Sequence, residues 1–103
     1  MTKLEDLTEE SFKPHVNSIF KLKLDEGKSL DLKLTEVKSG RKMSEDHECF
    51  SLLFMDEAKS SLRQRIYELE HTELGVFSLF LVPVDTDEKG HYYEAVFNRM
   101  QKK

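Results

Sequence analysis

From Phe20 to Leu34 the chain alternates. Lys21 and Lys23 separate Phe20, Leu22 and Leu24, and Asp31 and Lys33 separate Leu30, Leu32 and Leu34. A period of two puts the apolar set on one face of an extended chain, so two half-buried strands are expected here. Parity decides the turn between them. A two-residue loop at Glu26-Gly27 would set Leu22 opposite Asp31 and mix the faces. A three-residue loop, Asp25-Glu26-Gly27, sets Leu22 opposite Leu30 and Phe20 opposite Leu32, and places Gly27 where a left-handed residue is needed. After Leu34 the phase slips, because Leu34 and Val37 cannot share a face of a regular strand. A bulge near Thr35 or Glu36 absorbs such a slip.

Four more strands follow the same rule. "CFSLLFM" places Phe50, Leu52 and Phe54 on one face and Cys49, Leu53 and Met55 on the other. "RIYELEH" has Tyr67, Leu69 and His71 in phase. "LGVFSLFLVPVD" is apolar on both sides, with Phe77, Leu79 and Leu81 against Val76, Phe80, Val82 and Val84. Pro83 has no N–H to give a ladder, so one side of that strand must be unpaired or bulged there. In "HYYEAVFNRM", Tyr93, Ala95 and Phe97 oppose Tyr92, Glu94 and Val96. The connections "KSGRKMSEDHE", in which Gly40 is expected to adjust freely, and "DEAKSSLRQ" are polar.

Ahead of the strands, "DLTEESFKPHV" reads as a short helix. Thr8 suits the N-cap, Glu9 and Glu10 put negative charge on the first turn, and Leu7 and Phe12 occupy the staple positions. Ser11 stands where a capping box usually has Glu or Gln, so the box is expected to be incomplete. Pro14 ends the helix or restarts it.

The fold class is therefore mainly β: about six antiparallel strands in a small barrel or tight sandwich, with a short N-terminal helix. Residues 1–103 are read as a single domain, with 1–18 the helical segment and 19–100 the β-domain. The strand apolar on both faces suits the middle of this fold. Its second face is expected to be covered by the N-terminal helix, with Phe12 and Val16 as plugs. Exposure of that face for dimerisation is the alternative. On the covered reading Phe80 is core, and its truncation to alanine costs ~3–5 kcal/mol.

Composition fits this picture. Hydrophobic residues make up 38% and charged residues 35% of 103 positions, which alternating strands accommodate without disorder. A chain of this size buries roughly two thirds of its unfolded surface, enough for one modest core. The net charge of −4 argues against nucleic acid, which is bound by clustered Lys and Arg. The one basic cluster, Arg99 with Lys102 and Lys103, reads as a solvated tail. Cys49 is the only cysteine, so no internal disulfide forms. No apolar run has the length of a signal peptide or a membrane span. A soluble, cytoplasmic chain with no membrane association is expected.

Catalytic, metal-binding and cofactor-binding sites are each expected to be absent. His15, His47, His71 and His91 form no metal-ligand spacing, and one cysteine forbids a CxxC. Asp85, Asp87 and Glu88 begin like a calcium loop but lack its glycine and closing glutamate. Glu68 and Glu70 read as charges on a solvated strand face. Cys49 and His47 lie side by side on one strand, which does not make a dyad. His71 reads as a buried, hydrogen-bonded ring pinning the turn after its strand.

Together, "LEDLTEESFKPHVNSIFKL", "CFSLLF", "YELEHTELGVFSLFLVPV" and "YYEAVFNR" resemble a group of small bacterial proteins classed only as a domain of unknown function. The resemblance implies a compact, bacterial, stand-alone domain, and it carries over no active site. Two functional readings follow. The first is a non-enzymatic interaction or assembly module that docks to a protein partner or to copies of itself through sheet edges and apolar faces. The second is a small-molecule or catalytic site in the mouth of a barrel, using His71 with Tyr67 or Tyr93.

Overall fold

The computed structural model describes residues 6–41, 45, 47–58 and 62–100. A helix α1 (Glu9–Phe12) runs into a 3₁₀ turn (Lys13–His15). Six strands follow: β1 (Ile19–Lys23), β2 (Ser29–Ser39), β3 (His47–Asp56), β4 (Arg65–His71), β5 (Gly75–Thr86) and β6 (His91–Met100). All ladders are antiparallel, and the order β1-β2-β3-β6-β5-β4 closes because β4 pairs back onto β1. The fold is a barrel and not a sandwich.

The sequence phases locate its turns and irregularities. Leu22 faces Leu30 and Phe20 faces Leu32, across the three-residue loop whose Gly27 has φ +75. Glu26 is also left-handed, at φ 62. The β2 register shifts between Leu34 and Glu36, leaving Thr35 as the extra residue, and its hydroxyl donates to the Leu53 carbonyl at 3.1 Å. The shift returns Val37 to the core side opposite Leu52. A second bulge follows Pro83, where the missing N–H breaks the ladder.

The N-terminal segment departs from expectation twice. Ser11 completes the capping box. Its N–H donates to Thr8 Oγ1 at 3.2 Å, and the Thr8 N–H donates to Ser11 Oγ at 3.1 Å, since a serine hydroxyl accepts as a carboxylate does. And α1 does not cover the outer face of β5. A helix of four residues is too short to blanket a sheet. It lies instead across the barrel end formed by the starts of β1 and β5 and the close of β4 and β6, and drives Phe12 inward. The Phe12 ring is fully buried, with its centroid 5.8–6.4 Å from those of Phe97, Phe77, Phe50 and Phe20. Phe50 and Phe97 stack beneath it at 4.4 Å. Val16 is half-buried and is not a second plug.

Phe80 is correspondingly 49% exposed and Val84 48%, so the second face of β5 is not core. Arg99 is likewise no solvated tail. It sits in β6, pairs with the buried Glu48 at 2.8 Å and donates to the Leu7 carbonyl, tying the start of the helical segment to the barrel. Lys102 and Lys103 lie outside the described residues. Gly40 is also not free: its N–H donates to the Cys49 carbonyl at 2.7 Å, and a Cβ there would meet that carbonyl oxygen at 3.0 Å.

Two predictions follow. Phe77→Ala is expected to cost ~3–5 kcal/mol as a buried aromatic truncation, and Phe80→Ala less than about 1 kcal/mol as a surface change. Denaturant midpoints check this, and equal losses would contradict the inside-out assignment of β5. Gly90→Ala should cost more than Gly27→Ala. A Cβ at Gly90 collides with the Asp56 backbone, whereas at Gly27 it meets open space and only the left-handed conformation opposes it, at about 1–2 kcal/mol. The same measurement checks the order.

Candidate functional site

His71 closes β4 in the inward phase of Tyr67 and Leu69 and is 5% exposed. Its Nδ1 accepts the backbone N–H groups of Glu73 at 3.1 Å and Leu74 at 3.2 Å. An acceptor of two N–H groups carries no proton, so the ring hydrogen resides on Nε2. Nε2 donates to Ser18 Oγ at 2.9 Å, and Ser18 Oγ donates to the His15 carbonyl at 2.9 Å. The ring also packs on Phe20 at 4.4 Å and on His15 at 4.5 Å. His15 lies 3.5 Å from Glu73. Burial, then the neighbouring His15, holds the His71 pKa below its ordinary value, opposed by Glu73. The polarity matters for chemistry. A general base must take a proton from its serine, and here the histidine gives one, so this pair is arranged to pin the turn and the start of β1.

Tyr67 and Tyr93 stand elsewhere. The Tyr67 hydroxyl donates to the Arg63 carbonyl at 2.7 Å, and the Leu62 N–H donates to the Tyr93 hydroxyl at 3.1 Å. Both therefore hold the segment entering β4, at the barrel end away from α1. Burial pushes the Tyr93 hydroxyl pKa up. Four residues of strand, roughly 13 Å, separate Tyr67 from His71 along β4. The structure brings the two tyrosines to one end and leaves His71 at the other. A groove of about 610 Å³ runs outside β1 and β2 past Lys21, Asp31 and Lys33, and none of His71, Tyr67 and Tyr93 lines it. Among the described residues no cluster of three His, Cys, Asp or Glu could hold a metal ion.

The surface feature that the two-sided pattern of β5 left open is the outside of β4, β5 and β6. Ile66 and Phe80 are direct cross-strand partners and are 64% and 49% exposed, while Val96 on β6 is 61% exposed. Val82, half-buried, lies beside Glu94. The alternation identified these residues as one face. It could not say whether anything covered them, because α1 reads equally well as a lid or as a plug.

Carboxylates surround this face. Glu68 and Glu70 share Lys23, at 3.2 and 3.4 Å, so one ammonium serves two negative charges. Arg65, next to Ile66 in the chain, is drawn over the Tyr67 ring, 5.0 Å from its centroid. Beyond the Pro83 bulge, a shallow groove of about 330 Å³ is formed by Leu53, Val84, Asp85, Asp87 and Tyr92. It has apolar walls and an acidic rim.

A family model described as a domain of unknown function (DUF6916) matches residues 7–97. Comparison with curated proteins and with solved structures gave no match. No helix among the described residues is long and apolar enough to cross a membrane.

The His71 network sets a pH dependence. The folded state keeps the ring neutral, while the unfolded chain takes up a proton near 6.5. The contribution is therefore complete above about pH 6.5 and is lost as pH falls below that value toward the lower folded pKa. His71→Gln is expected to lose ~1–3 kcal/mol at pH 8, where two backbone N–H groups lose their acceptor, and to show a shallower fall between pH 7 and 5. Denaturation midpoints across this range check both effects. Parallel slopes for the two proteins would contradict the assignment.

Proposed function

The chain belongs to the DUF6916 family of domains, whose description names no activity, and we propose that it serves as a protein-interaction module and not as an enzyme. The observation that carries this reading is the outward group of Ile66, Phe80, Val82 and Val96 on a closed barrel. Large side chains scattered singly over a surface need no explanation, but exposed apolar residues grouped on one face, with Ile66 directly against Phe80 and charge at the rim, favour an interaction site. The β4–β5 ladder holds Ile66 against Phe80, so little order has to be gained there on docking. The barrel interior, in turn, is occupied by the protein's own aromatic rings. The alternative reading, a small-molecule site built from His71 with Tyr67 or Tyr93, draws no support from residues at opposite ends of the barrel whose polar atoms already bond the protein itself.

A photo-crosslinking residue placed at Phe80, compared with one at Asp31 on β2 across the barrel, tests the proposal in cells. Discrete crosslinked species at position 80 and not at position 31 are expected. Indistinguishable patterns from the two positions would overturn it.

A further inference from the structure

The two ladders of β5 occupy different halves of the strand. Residues Gly75–Leu81 pair with β4, and Val82–Thr86 pair with β6. Residues 95–98 of β6 pair with β3 on their other side. Between residues 76–81 of β5 and 95–98 of β6 no ladder pair forms among the described residues, so the barrel wall splays there. Phe12 fills the splay from inside, between Phe77 and Phe97. On the outside, Phe80 and Val96 border it, with Ile66 one strand away. Strand edges that diverge in this way offer backbone N–H and C=O groups to an incoming chain.

The chemistry of the surroundings selects that chain. Glu94 stands next to Val82 and Leu53. Glu68 and Glu70 lie on the β4 side, where they share Lys23 and where Lys21 stands opposite Glu70. Asp85 and Asp87 rim the groove over Leu53 and Val84. A lysine or arginine laid there would rest its aliphatic stem on the apolar walls and bring its head to the carboxylates. A second copy of this chain would bring the same carboxylates against themselves, which costs binding energy.

We infer that the seam between β5 and β6 accepts an extended segment of a partner protein whose outward-facing positions, every second residue, are apolar and basic in turn. The apolar side chains lie on Phe80, Val96 and Ile66, and the basic ones reach Glu94 and the Asp85–Asp87 groove. This inference rests on the interaction-module reading and names the partner class for the same face.

The test uses the intact chain, ¹⁵N-labelled, with two probes: the octapeptide Val-Val-Lys-Lys-Val-Val-Lys-Lys, which presents valine and lysine in turn on either face, and its counterpart with glutamate in place of lysine. The lysine peptide is expected to shift and protect amides in 76–81 and 95–98, to weaken as salt is raised, and to bind about tenfold more tightly than the glutamate peptide. Phe80→Ser and Glu94→Lys should each weaken it by about tenfold while leaving the spectrum folded. Equal binding of the two peptides, shifts confined to the β1–β2 face, or no shift at millimolar peptide would overturn the inference. Light scattering supplies the remaining arm. A dimer abolished by Phe80→Ser would overturn the basic-segment partner in favour of a second copy, yet leave the interaction module standing. Failure of the peptides together with failure of the position-80 crosslink removes both.

Discussion

The structure depends on filling a six-stranded barrel. A closed antiparallel sheet pairs most of the edges that invite aggregation, the β5–β6 seam excepted, but it encloses a volume that side chains must occupy at the density of an organic crystal. The inward residues of six strands supply most of that filling. At the end where β5 and β6 part, they do not meet. Phe12 completes the interior there, reaching from a four-residue helix to within ring contact of Phe20, Phe50, Phe77 and Phe97. The rest of the N-terminal segment can be read as the means of holding that ring in place. The Thr8–Ser11 box fixes the helix start, Arg99 holds the Leu7 carbonyl, and Ser18 is fastened to His71.

That use of α1 decides what remains outside. Because the helix is committed to the barrel end, nothing in the described chain lies over Ile66, Phe80 and Val96. The same event that completes the core therefore leaves an apolar face on the surface. The polar residues with the strongest structural ties serve the fold in a comparable way. His71 pins the β4–β5 turn, and Tyr67 and Tyr93 pin the entry to β4. Each of these groups is bonded to backbone, which suits a support better than a reactive centre.

Much of the barrel was legible in the sequence because strand periodicity is a local property. Leu22 opposite Leu30, the left-handed Gly27, the extra residue at Thr35 and the break at Pro83 each follow from phase and parity. The inward set of β5 was legible for the same reason. The covering of its other face was not, since it depends on where a distant helix docks, and Phe12 satisfies the staple pattern in either position. The capping box at Ser11 is not legible from residue type, because a serine hydroxyl there accepts the Thr8 N–H in place of a carboxylate. Arg99 was read as tail because its partners, Glu48 and Leu7, are remote in sequence. Of the proposed site residues, the burial of His71 was readable from phase, but its distance from Tyr93 required the topology.

The most direct measurement is a set of nuclear Overhauser contacts from the Phe12 ring in the folded protein. Contacts to the rings of Phe50, Phe77 and Phe97, with none to Phe80, are what a plug inside the barrel predicts. Contacts from Phe12 to Phe80 and Val82, with none to Phe97, would place the helix on the outer face, contradicting both the packing described and the free surface derived from it.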